Sequence, residues 1–122
     1  MNIRHFEVTP YSIPFVKPLQ TSEKTYTNRE GVWLKFQWDK FTGSGEAAPL
    51  QGFSKENLKE VHYVLEGFHQ AIEGENYDKD DLLSLINLHT VDIPSARFAL
   101  ETAAYDVLSQ EKNNSIAEYL NP

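Results

Sequence analysis

The hydrophobic pattern of the chain changes once, and the change falls in residues 43–54. Before this stretch apolar residues alternate with polar ones, whereas after it they recur every three or four positions. The stretch itself contains three glycines together with Pro49 and Phe53. This composition is typical of a backbone that lies close to another part of the protein, with an aromatic side chain presented from a loop.

Three strands are predicted before the change, at about residues 2–16, 31–39 and 43–48. The second is the clearest, because alternate residues form one apolar face, namely Val32, Leu34, Phe36 and Trp38. Pro10 and Pro14 confine the first strand to a sheet edge or to bulges. Residues 17–30 are polar and aperiodic, so we expect a long loop there. The order of the strands predicts an antiparallel meander.

Helices are predicted after the change, at about residues 55–73, 79–88, 94–111 and 115–120. Ser54 and Asp78 are the expected N-caps of the first two, Gly74 the end of the first, and Pro94 the start of the third. The apolar face of the first helix includes Leu58, Val61, Val64, Leu65, Phe68, Ala71 and Ile72, and that of the second Leu82, Leu83, Leu85, Ile86 and Leu88. The third helix is rich in alanine, which lets a neighbour approach closely. The class is α+β, with three strands followed by three to four helices.

Length and charge narrow the class of function. The chain has 122 residues, enough for one domain, and its 11 basic and 18 acidic residues give a net charge of -7. Such a charge disfavours nucleic acids and anionic membrane surfaces as partners. With no cysteine, no apolar run of membrane-spanning length and no secretory signal pattern, the sequence predicts a cytoplasmic protein.

Residue chemistry alone predicts no active site. His62 and His69 stand seven residues apart on the first predicted helix, which is too far for both to bind one metal ion. Glu46 is the one acid in a small and apolar stretch, and it looks buried. It could act as a general base with a raised pKa, or it could be a structural carboxylate bonded to the polar loop or to Arg29. The structural role is favoured, because no second titrating partner is evident.

The run Gly-Ser-Gly-Glu-Ala-Ala-Pro-Leu-Gln-Gly-Phe-Ser at residues 43–54 resembles the amino-terminal capping domain of the enolase superfamily. Within it, the run is most similar to o-succinylbenzoate synthases of the muconate-lactonising-enzyme-like group. Residues 27–34, 94–106 and 116–120 resemble further segments of that domain in the same order. The resemblance implies an α+β cap that closes over a (β/α)-barrel, and we expect the barrel to be absent from this chain.

The resemblance also implies a reaction, in which Mg²⁺ assists removal of a proton α to a carboxylate and water is then lost. Metal ligands and catalytic lysines of the family lie on the barrel, so this chain is expected to hold neither and to be inactive alone. Its contribution would be two loops that line the substrate pocket, through Leu19, Thr21, Ser22, Gln51, Gly52, Phe53 and Ser54. Phe53 could instead, or as well, pack against Leu58 at the entry to the first helix. The implied partners are a small-molecule carboxylate and the chain's own barrel, and an uncovered barrel-facing surface would favour self-association.

Two alternatives stay open from the sequence. Caps of dipeptide epimerases and N-acylamino acid racemases share the same pattern, so the substrate is not fixed by it. A chain of this class could also be a non-catalytic α+β module that binds a ligand or forms oligomers.

Overall fold

The computed structural model describes residues 2–20, 25–49 and 56–121. The elements in chain order are β1 (Ile3–Gln20), β2 (Thr25–Trp38), β3 (Phe41–Ala47), α1 (Leu58–Ile72), α2 (Lys79–His89), α3 (Pro94–Glu111) and α4 (Ile116–Leu120). The strands form one antiparallel sheet in the order β1-β2-β3. The predicted α+β fold, a three-stranded meander followed by helices, is therefore confirmed.

β1 tolerates its prolines because it is an edge strand. Its pairing with β2 shifts register between Arg4 and Glu7 and again between Pro14 and Leu19. Proline lacks the N–H that a central strand must donate, so an edge position removes that cost. The prediction of an edge strand with irregular pairing is correct.

The prediction of a long loop at residues 17–30 is wrong for residues 17–20 and 25–30, which the structure describes. β1 continues to Gln20 and β2 already begins at Thr25, where these two residues pair. Before Val32, which pairs with Ala47 at the end of β3, the residues of β2 pair only with β1. Most of this hairpin lies in water on both faces, so its sequence shows no apolar alternation although its backbone is fully extended.

The core lies between the inner face of the sheet and the helices. The predicted apolar face of β2 is at most 1% exposed, and it packs with Val61, Leu65, Phe68 and Ile72 of α1. The rings of Phe6 and Phe36 stack with centroids 5.7 Å apart. Two residues predicted on apolar helix faces are instead exposed, Ala71 on α1 and Leu88 on α2. Each lies on the flank of its apolar stripe, where the arc buried against the sheet ends.

β3 meets α3 at two glycines. A Cβ on Gly43 would collide with the carbonyl oxygen of Ala103, and one on Gly45 would collide with that of Ala99. Both alanines are fully buried. The close approach predicted for the glycine-rich stretch is thus an approach to the alanine-rich helix of the same chain.

The helix ends follow the predicted signals except at the start of α1. The N-cap is Asn57, whose side chain accepts a hydrogen bond of 2.8 Å from the N–H of Glu60. The expected cap Ser54 lies outside the described residues, and the helix begins three residues later than predicted. Asp78 caps α2 as expected, and Pro94 opens α3. Gly74 follows α1 with a φ of 83°, as a glycine at a helix end can.

The end of α1 is fastened to the start of β1. His5 adopts a φ of 52° inside the first register shift, which leaves the N–H of Phe6 free to donate to the Glu73 carboxylate at 3.1 Å. The N–H of Gly74 donates to the Ile3 carbonyl at 2.8 Å. The hydrogen bond with His69, followed by the bond from Phe6, lowers the pKa of Glu73 below its ordinary value of 4.5.

We predict that this carboxylate makes a small contribution to stability that depends on pH. Because the pKa of Glu73 is lower in the folded than in the unfolded state, the contribution is present above pH 4.5 and is lost as the pH falls through the folded pKa. The Glu73 side chain is 42% exposed, so solvent screening keeps the effect modest. Urea unfolding of Glu73→Gln and the native chain should therefore converge between about pH 6 and about pH 3. A stability difference that stayed constant over this range would contradict the assignment.

Candidate functional site

Of the predicted pocket residues, the structure describes only Leu19. Leu19 lies near the end of β1, is 41% exposed and pairs with Tyr26 of β2. The other predicted pocket residues lie outside the described residues, namely Thr21, Ser22, Gln51, Gly52, Phe53 and Ser54. The structure does place the backbone on both sides of residues 50–55, and Ala47 and Ala48 on the preceding side border a cleft.

This cleft lies between the end of β3 and the start of α3. It has a volume of about 400 Å³ and is lined by Arg29, Glu46, Ala47, Ala48, Pro94, Ser95 and Phe98. Phe98 is 65% exposed, so an apolar ring stands beside one cation and one carboxylate. The mixture suits a surface that binds an amphipathic molecule or another protein surface.

Arg29 fixes one end of the segment that leaves β3. Its guanidinium donates a hydrogen bond of 2.5 Å to the carbonyl oxygen of Ala48. Arg29 lies on the part of β2 that extends past β3. The bond therefore joins the protruding hairpin to the backbone just before residues 50–55.

Tyr11 and Glu46 connect the two edge strands across β2. The ring of Tyr11 lies over Gly31, where any side chain would collide with it. The absence of a side chain at Gly31 allows the Tyr11 hydroxyl to donate to the Glu46 carboxylate. Burial, and next this hydrogen bond and the charge of Glu46, raise the pKa of Tyr11 to about 12, against a smaller opposing influence of Arg29. Tyr11 is therefore protonated at neutral pH and acts as a hydrogen-bond donor and not as a base.

Glu46 has a different environment from the one predicted. It is exposed on the outer side of β3, so the expectation of a buried carboxylate is wrong. The structural role favoured for it is supported, although its partner is Tyr11, while Arg29 instead bonds to Ala48. Glu46 is exposed because it lies on the outer face of the sheet, together with Trp33, its partner in the ladder.

A buried carboxylate, that of Glu56, is bonded to Ser95, one of the residues that line the cleft. Glu56 is 3% exposed and accepts a 2.9 Å hydrogen bond from the N–H of Ser95, together with a short bond from the Ser95 hydroxyl. The two residues join the entry to α1 with the first turn of α3. Sequence analysis missed this pair because its members are 39 positions apart and neither belongs to a catalytic motif.

The described residues do not form a metal site. Across 2–20, 25–49 and 56–121, no three histidine, cysteine, aspartate or glutamate side chains are grouped so that they could hold an ion. His62 and His69 instead contact Glu66, and His69 also contacts Glu73. None of the helices in this part of the chain is long and apolar enough to span a membrane.

Residues 3–107 match the family described as MenC, N-terminal domain. The chain belongs to this family. The MenC N-terminal domain is a capping domain of the enolase superfamily, so the resemblance drawn from residues 43–54 is confirmed. Over 69 residues, 57% of its length, the chain is 33% identical to an o-succinylbenzoate synthase of Klebsiella pneumoniae (strain 342). It spans only 22% of that relative.

Solved structures share the fold of this MenC N-terminal domain. The L-Ala-D/L-Glu epimerase from Bacillus subtilis superposes on 92% of the chain with a TM-score of 0.78 at 24% identity. A dipeptide epimerase from Methylococcus capsulatus, complexed with Mg and the dipeptide L-Arg-D-Lys, covers 99% of the chain with a TM-score of 0.85 at 21% identity. The chain spans 32% and 35% of these two proteins. Relatives of the domain are therefore enzymes of the enolase superfamily about three times its length.

Proposed function

We propose that this chain is the capping, substrate-specificity domain of an o-succinylbenzoate synthase, a Mg²⁺-dependent dehydratase of menaquinone biosynthesis. The observation that carries the proposal is the match of residues 3–107 to the MenC N-terminal domain. The 33% identity to an o-succinylbenzoate synthase supports it. Its place of action would be the cytoplasm, and its substrate a small-molecule carboxylate.

In this proposal the catalytic groups and the metal lie outside the chain, on the barrel domain that is its partner. Magnesium would supply charge stabilisation for the carboxylate substrate after proton removal. The described residues do not fit a metal ion, so no step of the reaction is assigned to them. Their part would be to cover the substrate, to exclude water and to position the residues that touch it.

Leu19, Thr21, Ser22 and residues 51–54 are proposed to line the pocket. The support comes from the anchors on either side of residues 50–55. Arg29 holds Ala48 on one side, and Ser95 holds Glu56 on the other. Arg29 belongs to the hairpin of β1 and β2, and Ser95 to the first turn of α3, which packs on the core. A loop held at both ends in this way can present a side chain at a fixed position, as substrate recognition requires.

The direct test is an assay of the intact gene product with Mg²⁺ and the precursor of o-succinylbenzoate. We expect dehydration by the intact protein and none by residues 1–122 alone. A dipeptide epimerase cap is the second candidate, since dipeptide epimerases superpose on nearly the whole chain. Dipeptides should therefore be assayed in parallel, along with N-acylamino acids. Turnover of these and not of the precursor would replace the first proposal, and binding without any turnover would favour a non-catalytic module.

Phe53 provides a test of the pocket loops. In the intact enzyme, Phe53→Ala should lower kcat/KM several-fold, roughly 10-fold, because an apolar wall against the substrate is lost. Circular dichroism and urea unfolding should show that the fold is retained. Phe41→Ala, on β3 away from the proposed pocket, serves as a control for the loss of a phenyl ring. An unchanged kcat/KM for Phe53→Ala would remove this residue from the pocket.

A further inference from the structure

The hairpin of β1 and β2 extends past the end of β3, and we call residues 11–20 and 25–31 the hairpin extension. Its ladder is irregular, because Pro14 has no N–H to donate and the register shifts between Pro14 and Leu19. A ribbon of only two strands is marginally stable and twists more strongly than a wider sheet. The position of Leu19, near the end of β1, therefore depends on how the base of the hairpin extension is held.

Two side chains fasten the base of the hairpin extension to β3 and to the residue that follows it. The Tyr11 hydroxyl donates to the Glu46 carboxylate, and the Arg29 guanidinium donates to the Ala48 carbonyl oxygen at 2.5 Å. Tyr11 belongs to β1 and Arg29 to β2, so both strands of the hairpin are held. We call these four residues the β3 clamp.

The Tyr11 side chain crosses β2 above Gly31. Tyr11 pairs with Gly31, whereas Glu46 pairs with Trp33, so the side chain runs diagonally over β2 to reach its acceptor. A Cβ on Gly31 would collide with the ring and the hydroxyl of Tyr11. The φ of Gly31 is not positive, so the backbone conformation does not require glycine at this position. The space that Tyr11 occupies does require it.

We infer that Tyr11 is a positioning residue for substrate binding, because it fixes the hairpin extension relative to the segment that leaves β3. The inference rests on the proposed function, in which residues of both segments line one pocket. If Tyr11 releases Glu46, the hairpin extension occupies additional positions, and Leu19 is correctly placed in a smaller fraction of the molecules. The apparent affinity for substrate falls by that fraction, while the groups that perform the chemistry are unchanged.

The test is steady-state kinetics of the intact gene product, with whichever of the o-succinylbenzoate precursor, dipeptides and N-acylamino acids it turns over. Tyr11→Phe should raise KM about 5-fold, as expected for one lost hydrogen bond, and change kcat less than about 2-fold. Gly31→Ala should give the same result, because its methyl group displaces the Tyr11 hydroxyl. Glu46→Gln keeps an acceptor oxygen and should retain a KM close to the native value. Tyr63→Phe, which removes a hydroxyl from an exposed ring, is the matched control and should leave KM unchanged.

Hydrogen exchange of the substrate-free protein provides a readout that does not depend on activity. The amides of residues 25–31 should exchange at least about 3-fold faster in Tyr11→Phe and in Gly31→Ala, whereas those of residues 34–38 should be unaffected. Unchanged exchange in residues 25–31 would overturn the inference, whatever the substrate is. Faster exchange with an unchanged KM would overturn it too, because the position of the hairpin extension would then not matter for binding.

Failure of the proposed function can be distinguished from failure of the β3 clamp. A native protein that turned over none of these compounds would refute the proposed function and the positioning role together. The exchange experiment would in that case still decide whether Tyr11 holds the hairpin extension. An equal rise of KM in Tyr63→Phe and Tyr11→Phe would also contradict the inference, because the effect would not be specific to the clamp.

Discussion

Replacing Gly45 with valine is expected to lower the free energy of unfolding by about 4 kcal/mol, enough to prevent folding of a marginally stable domain. The backbone of β3 lies against α3 at this point, and even a Cβ would collide with the carbonyl oxygen of Ala99. A backbone atom of a packed helix cannot move aside as a flexible side chain can. The whole of α3 would have to shift, and Ala103 at Gly43 would shift with it.

The measurement is urea unfolding followed by tryptophan fluorescence, since Trp38 is buried and Trp33 is half-exposed. Thr42→Val is the matched control, because it places the same side chain on the exposed face of the same strand. We expect the control to change stability by no more than about 0.5 kcal/mol. If Gly45→Val were as stable as the control, the close contact between β3 and α3 would be wrong.

Glu56→Ala is expected to cost about 3 kcal/mol, the second largest effect. The substitution removes the acceptor of two hydrogen bonds from Ser95 in a site that is 3% exposed to water. The N–H and hydroxyl of Ser95 then lose their partner in the partly buried first turn of α3. Ser95→Ala removes only the hydroxyl bond and should therefore cost less, about 1 kcal/mol.

Thermal and urea unfolding of these variants test the role of Glu56. Glu111→Ala removes an exposed carboxylate at the end of α3 and should be nearly neutral. Equal stability losses for Glu56→Ala and Glu111→Ala would show that the buried carboxylate does not fasten α1 to α3. In that case the bond between Ser95 and Glu56 would no longer support the proposal that the backbone just after residues 50–55 is held in place.

The local features of the fold could be predicted from the sequence. The alternation along β2 and the caps at Asp78 and Gly74 depend on neighbouring residues, and the structure confirms them. The start of α1 could not be fixed, because Ser54 and Asn57 are both good caps and only three residues apart. The extension of β1 and β2 was missed for a different reason. A hairpin with both faces in water shows no period in its hydrophobic pattern.

The candidate site was harder to predict than the fold, because its contacts join distant parts of the chain. Tyr11 reaches Glu46 only because β1 and β3 are held in register on β2, above Gly31. Glu56 is buried because α3 returns beside the entry to α1. Neither the Tyr11–Glu46 contact nor the burial of Glu56 can be predicted from a single sequence. The resemblance at residues 43–54, in contrast, identified the family from a local pattern.

The packing of β3 against α3 also has a consequence for synthesis on the ribosome. The sheet is complete at Ala47, yet the helix that covers β3 begins only at Pro94 and ends at Glu111. At about 5 to 20 residues per second, roughly 3 to 13 seconds pass between synthesis of Ala47 and synthesis of Glu111, and during this time the surface of β3 is not covered. Because Gly43 and Gly45 have no side chains, little apolar side chain on β3 is exposed during this delay. A strand that must fit closely in the finished domain is thus also a poor template for aggregation in the nascent one.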